Sequence, residues 1–162
     1  MDDHPEKRGA LLAVDVGLRT GLAMYGRDGR LQWYRSQHFA DPGALRRAVR
    51  RLLAEHAELI LICLEGGGRL GEIWEKEAMT RGVRVRHVAA ETWRSLILYE
   101  RDQRHGRQAK NTADEVARRV IEWSAARRPT SLRHDASEAI LIGLWCLLDA
   151  GWLKRLPCGI RG

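Results

Sequence analysis

Apolar positions in this chain fall into short blocks whose spacing switches between strand-like and helix-like. Residues 1–9, "MDDHPEKRG", are polar and read as a tail. Three strands in hairpin order are then expected at about 10–16, 19–25 and 30–36, with "GRDGR" at 26–30 as the turn between the last two. "DPGALRRAVRRLLAEHA" follows helical spacing through Leu45, Val49, Leu52 and Leu53. Asp41 is its expected N-cap and Pro42 its first helical residue.

"ELILICLE" is a continuous apolar run that ends in Glu65, the signature of a strand covered on both faces. "GGG" at 66–68 breaks the chain, and the spacing predicts a helix over about 70–81. A strand is expected at 83–88 and a short helix in "AETWRSLILYE". The polar, basic stretch 101–110 reads as a loop, 111–127 as a helix, "RRPTSLRH" as a linker, and 134–150 as a strongly apolar helix. Three antiparallel strands followed by alternating helices and strands indicate one mixed α/β sheet with helices on both faces. At 162 residues, one domain is expected, spanning 10–156.

Composition sharpens this outline. The formal net charge is +7, which favours an anionic partner, nucleic acid being the commonest. Only four of the 28 basic residues are lysines, so compositional bias toward arginine is the competing account. The three cysteines show no metal-like spacing, and Cys63 and Cys146 lie in apolar runs as buried thiols. With neither a signal-like segment nor an apolar run long enough to span a bilayer, a cytoplasmic protein without membrane association is expected.

The candidate chemistry lies in carboxylates set against hydrophobic elements. Asp15 ends the first strand, Glu65 ends the fourth, and Asp135 and Glu138 open the last helix on one face. Buried acids are costly unless paired or metal-bound. If strands one and four are neighbours, their carboxyl ends meet where open α/β sheets place ligands. A cluster of carboxylate oxygens suits a hard dication such as Mg²⁺ or Mn²⁺. Each acid also has a plainer reading: Asp15 in a turn, Glu65 capping the glycine-rich segment, Asp135 and Glu138 as a capping box. The glycines of "GLRTG" would keep the ground beside Asp15 low for a phosphate.

Together, "VDVGLRTG", "LICLEG" and "HDASEAILIG" resemble the motifs of the RuvC-like Holliday-junction resolvases of the ribonuclease-H superfamily. The resemblance runs from Leu11 to about Leu148. It implies a ribonuclease-H-like five-stranded fold, and Asp15, Glu65, Asp135 and Glu138 as ligands for two Mg²⁺ or Mn²⁺ ions. Glu138 stands where bacterial members usually carry aspartate; the chloroplast branch tolerates glutamate there. The resemblance also implies a catalytic or phosphate-contacting role for Lys110, just before the penultimate helix. It further implies a homodimer that nicks a four-way DNA junction symmetrically, with a branch-migration motor as a further partner.

Arg101, Arg104, His105 and Arg107 crowd the loop before Lys110, and Arg69 follows Glu65; all are expected to contact phosphate. Trp74 and Trp93 are expected in the core, and His134 as an ordinary helix-start residue, with orienting water or assisting a metal ligand as its alternative. Other readings keep the fold: a RuvX/YqgF-like nuclease acting on precursor ribosomal RNA, or a silent junction-binding module. An actin-like sugar kinase also begins with Asp-x-Gly, but it needs two such domains, and the chain has room for one.

Overall fold

The computed structural model describes residues 8–98 and 106–161. Five strands form one sheet: β1 (Ala10–Asp15), β2 (Arg19–Gly26), β3 (Leu31–His38), β4 (Leu59–Glu65) and β5 (Arg84–Val88). Their spatial order is β3-β2-β1-β4-β5. β1, β2 and β3 pair antiparallel, whereas β4 pairs parallel with both β1 and β5. The expected mixed sheet with antiparallel first strands is therefore present.

The helices are α1 (Pro42–Glu55), α2 (Gly68–Thr80), α3 (Ala90–Ile97), α4 (Gly106–Trp123) and α5 (His134–Asp149). Asp41 caps α1 as expected, its carboxylate accepting from the Ala44 N–H at 2.8 Å. α4 departs from the expectation. It starts at Gly106 and ends at Trp123, so Arg107 and Lys110 lie inside its first turns and not in a loop before it. The run "GRQAK" holds Arg, Gln, Ala and Lys, all good helix formers, and its polarity alone did not make it a loop.

Central β1 shows how period-two alternation sorts the core. Leu11 and Ala13 face one side, packing with α3, α4 and α5; Leu12 and Val14 face the other, packing with α1 and α2. All four are fully buried, which explains why β1 and β4 read as continuous apolar runs. Trp74 belongs to the α1–α2 side and Trp93 to the α5 side, both buried as expected. Cys63 and Cys146 are buried free thiols, and Cys158 is exposed.

α5 is apolar almost all round because it lies between the sheet on one side and α3 and α4 on the other. It sits unusually close to the strands. A side chain at Gly143 would collide with the Tyr25 ring and come within 3.2 Å of the Ala13 Cβ. A side chain at Gly21 would collide with the backbone carbonyl of Asp135. The Tyr25 hydroxyl donates to the Ile140 carbonyl at 2.5 Å, tying β2 to the middle of the helix. Gly21 thus makes room for the start of α5, and the ground expected to be low for a phosphate is filled by a helix at that residue.

This docking makes a direct prediction. Gly143→Ala should destabilise the fold by about 1–3 kcal/mol, the usual cost of overpacking a filled core. Urea denaturation followed by circular dichroism reads this directly, and an unchanged midpoint would refute the close docking.

Candidate metal centre

The same alternation that builds the core aims the acids. On β1, Leu11, Ala13 and Asp15 share a face; on β4, Leu61, Cys63 and Glu65 share the corresponding one. Asp15 and Glu65 are direct partners across the parallel β1–β4 pair. Both carboxylates therefore stand at the carboxyl edge of the sheet on the side covered by α5. Glu138, one turn into α5, comes down to meet them. One carboxylate oxygen from each of Asp15, Glu65 and Glu138 lies within 4.8 Å of the others.

The plainer readings of these acids do not hold. Gly67, the N-cap of α2, has no side chain to cap with, and the Glu65 carboxylate is hydrogen-bonded to Asp15 and not to the start of that helix. Arg133 is the N-cap of α5, again without a side-chain bond, so no Asp135–Glu138 capping box forms. The turn after Asp15 is closed by the Thr20 hydroxyl, which donates to the Gly17 carbonyl at 2.6 Å.

Asp135 occupies a different station. Its Oδ2 accepts from the Ser36 hydroxyl of β3 at 2.5 Å, and it is not one of the three clustered acids. Its charge is still felt there, since Asp135 helps to raise the Asp15 pKa. The sequence carries no signal for Ser36; only the register that brings β3 beside β2 reveals it.

Electrostatics divide the cluster into two parts. Burial, then the charges of Glu138, Glu65 and Asp135, push the Asp15 carboxyl up from 3.8 to about 8. Asp15 therefore holds a proton near neutrality, shared in a hydrogen bond with Glu65. Glu65 is itself raised, chiefly by burial and then by Glu138. Glu138 behaves oppositely. Burial pushes it up, but hydrogen bonds from His134 and Arg94 outweigh burial and hold it below its ordinary value.

Those two donors converge on one oxygen. Arg94 Nη2 lies 2.6 Å and His134 Nε2 3.2 Å from Glu138 Oε1. The bond to Glu138, opposed by burial, raises the His134 pKa. Asp114 Oδ1 stands 3.6 Å from His134 Nδ1, too far for a hydrogen bond but close enough to favour the charged imidazole. His134 is thus a partner of the cluster, which matches the alternative reading of it and not the ordinary helix-start one. Arg94 follows the core residue Trp93, and nothing in the sequence motifs marks it as a partner of Glu138. The guanidinium of Arg94 lies 5.1 Å from the Trp93 ring centre.

The basic residues expected to contact substrate are less gathered. Arg69 is exposed in the first turn of α2. Lys110 lies one turn before Asp114 on α4, which places that part of the helix beside the start of α5. Arg101, Arg104 and His105 lie outside the described residues.

The donor set fits divalent metal. Asp15 and Glu65 share a proton, with no cation hydrogen-bonded between them among the described residues, and every clustered donor is a hard oxygen. Asp15, Glu65 and Glu138 are the residues that would hold such an ion.

This five-stranded arrangement has a solved counterpart. The yeast mitochondrial Holliday junction resolvase Ydc2 matches over 93% of this chain and 85% of its own, with a TM-score of 0.53 and 9% identity. The fold is ribonuclease-H-like. The nuclease domain of the large terminase subunit gp2 of bacterial virus Sf6, solved with manganese, is also similar. It covers 98% of this chain and 77% of its own, with a TM-score of 0.43 and 14% identity. No family model and no curated protein sequence matches the chain.

The charge arrangement predicts how metal-free protein responds to pH. Between pH about 4 and about 8 the folded state holds a proton on Asp15 that the unfolded chain has lost, so stability falls as pH rises. The raised Glu65 and His134 act in the same direction, and the lowered Glu138 is ionised throughout the upper part of this window. In chelator, the melting temperature should be lower at about pH 8.5 than at about pH 5.5, by a few kcal/mol of stability. Asp15→Asn should flatten most of this slope, and Mn²⁺ should restore stability at high pH. A melting temperature that rises with pH in the metal-free parent would contradict the shared proton.

Proposed function

We propose that this protein is a metal-dependent nuclease whose substrate is a four-way DNA junction, cut by paired symmetric nicks. One observation carries the catalytic part: Asp15 and Glu65, locked opposite each other by strand register, join Glu138 in an oxygen cluster whose charge is not balanced by cations alone. The substrate class follows from the motif resemblance and from the basic charge of the chain.

Asp15, Glu65 and Glu138 would hold the metal, with Asp135 steering the field beside them. Two divalent ions bound there would supply an activated water and a counter-charge for the leaving oxygen of a phosphodiester. The protein's own residues do the remaining work. Arg94 and His134 fix the Glu138 carboxylate in place. Ser36 fixes Asp135 and with it the first turn of α5. Lys110, Arg107, Arg104, Arg101 and Arg69 would neutralise backbone phosphates around the scissile one. Cutting two opposed strands requires two such sites related by a two-fold axis, so the acting species is a homodimer.

The test is a comparison of synthetic four-way junction, linear duplex and structured RNA, each with Mg²⁺ or Mn²⁺. Symmetric nicks confined to the junction are expected. Cleavage of RNA alone would move the assignment to a ribosomal-RNA-processing nuclease. Tight junction binding without cleavage would leave a binding module. Asp15→Asn should lower the cleavage rate by about a thousandfold, the several kcal/mol that metal chemistry contributes, while junction binding persists. Full activity in Asp15→Asn would remove the metal centre from the mechanism.

A further inference from the structure

On the sheet face away from α5, a cleft of about 380 Å³ opens between edge strand β3 and helix α1. Arg35 and Gln37 line it from β3, and Arg47, Arg51 and Glu55 line it from α1, over an apolar floor that includes Leu52. Three guanidiniums thus face one carboxylate. Glu55 is engaged by Arg51 at 2.9 Å, one helical turn away. Among the described residues, Arg47 has no ion-pair or hydrogen-bond partner. Arg35 lies over the Trp33 ring, 4.6 Å from its guanidinium carbon, and near enough to Glu55 to help lower that carboxyl's pKa. A solvated charged face would interleave its arginines with acids. α1 instead carries Arg46, Arg47, Arg50 and Arg51, with Glu55 its single acid.

The position of this cleft gives it meaning. Glu65, Asp15, Gly21 and Ser36 form one continuous row of partners across β4, β1, β2 and β3. Arg35 and Gln37 bracket Ser36 in sequence, so they sit at the edge-strand end of the row that begins with the acids. Ser36 points to the α5 side, where it holds Asp135; its neighbours point to the α1 side. The lateral step from Asp15 to β3 is two strand spacings, about 10 Å. An apolar floor and walls in which three guanidiniums outnumber one carboxylate concentrate positive potential on an anion entering the cleft. Planar guanidiniums and a side-chain amide are the donor set that grips phosphate oxygens.

We propose that the β3–α1 cleft is a second phosphate-binding station, which takes the nucleic-acid backbone as it leaves the carboxylate cluster across the sheet edge. Arg35 and Arg47 supply the contacts, Gln37 adds a neutral donor, and Arg51 remains tied to Glu55. The station rests on the nuclease reading for its ligand, but its contribution is to binding and not to hydrolysis.

The experiment measures anisotropy of a labelled four-way junction and a linear duplex, without divalent metal, over a range of KCl concentrations. Arg35→Ala/Arg47→Ala is compared with the parent and with Lys154→Ala/Arg155→Ala, an exposed pair elsewhere that removes the same charge. The cleft variant should lose affinity on the order of tenfold at about 0.1 M salt, and its log–log salt slope should shrink by about 1.8, or about 0.9 per phosphate contact. The control pair should change the slope by much less. Arg35→Lys/Arg47→Lys should keep most of the slope, because it keeps the charge. Equal affinity and slope in parent and cleft variant would overturn the station while leaving the nuclease reading intact. Equal losses in cleft and control variants would also overturn it, reducing the effect to net charge. A parent that binds neither DNA would overturn both readings.

Discussion

The parallel register of β1 against β4 is the constraint on which the functional part of this molecule depends. It sets Asp15 opposite Glu65 at the carboxyl edge of the sheet, on the side where α5 lies. Two like charges brought together in a half-buried place repel each other and lose hydration. Nothing in the strand pairing itself relieves that cost. The chain tolerates it because the rest of the two strands is apolar and, Ile60 apart, buried, which leaves the register no freedom to slip. A slip of one residue would turn Asp15 and Leu11 together to the opposite face.

The third carboxylate depends on a second constraint, the close approach of α5. Glu138 reaches the strand ends only because the helix lies almost on the backbone of β2, with Gly21 under its first turn and Gly143 against Tyr25. The start of this helix lacks a side-chain cap, so its position comes from tertiary contacts. Ser36, Gly21 and Tyr25 supply three of them. Core packing and site geometry are therefore one problem here. A change that lifts α5 from the sheet carries Glu138 away from Asp15 without touching any carboxylate.

Much of this was legible in the chain because it is written in periodicity. The doubly covered strands announce themselves as apolar runs, and the acids at their ends stand out against them. The parity of Leu11, Ala13 and Asp15 even foretells which face the acid takes. What periodicity cannot convey is long-range partnership. Ser36 lies 99 residues from Asp135, and Arg94 lies 44 from Glu138. Neither residue type is unusual where it stands. Asp135 reads as an equal of Glu138 because i, i+3 spacing puts both on one helix face, yet β3 intervenes and engages Asp135 with a hydroxyl. The start of α4 misled for another reason: "RDQRHGRQAK" is polar and basic throughout, and composition of that kind is shared by loops and by solvated helix turns.

The distribution of compensating charge explains how such a cluster persists in a folded protein. Glu138 is offset by Arg94 and, below the raised pKa of His134, by an imidazolium. Asp15 and Glu65 are offset by one shared proton. Three carboxylates, one proton and two cations come close to neutrality, so the metal-free fold does not have to bury net charge. The two parts differ in what can replace them. Arg94 is covalently part of the chain and does not lose its charge, whereas the proton on Asp15 exchanges with solvent. Asp15 and Glu65 would hold a dication in place of that proton, and Arg94 would keep Glu138 oriented beside them. The asymmetry follows from geometry, because Arg94 and His134 both approach the helix carboxylate.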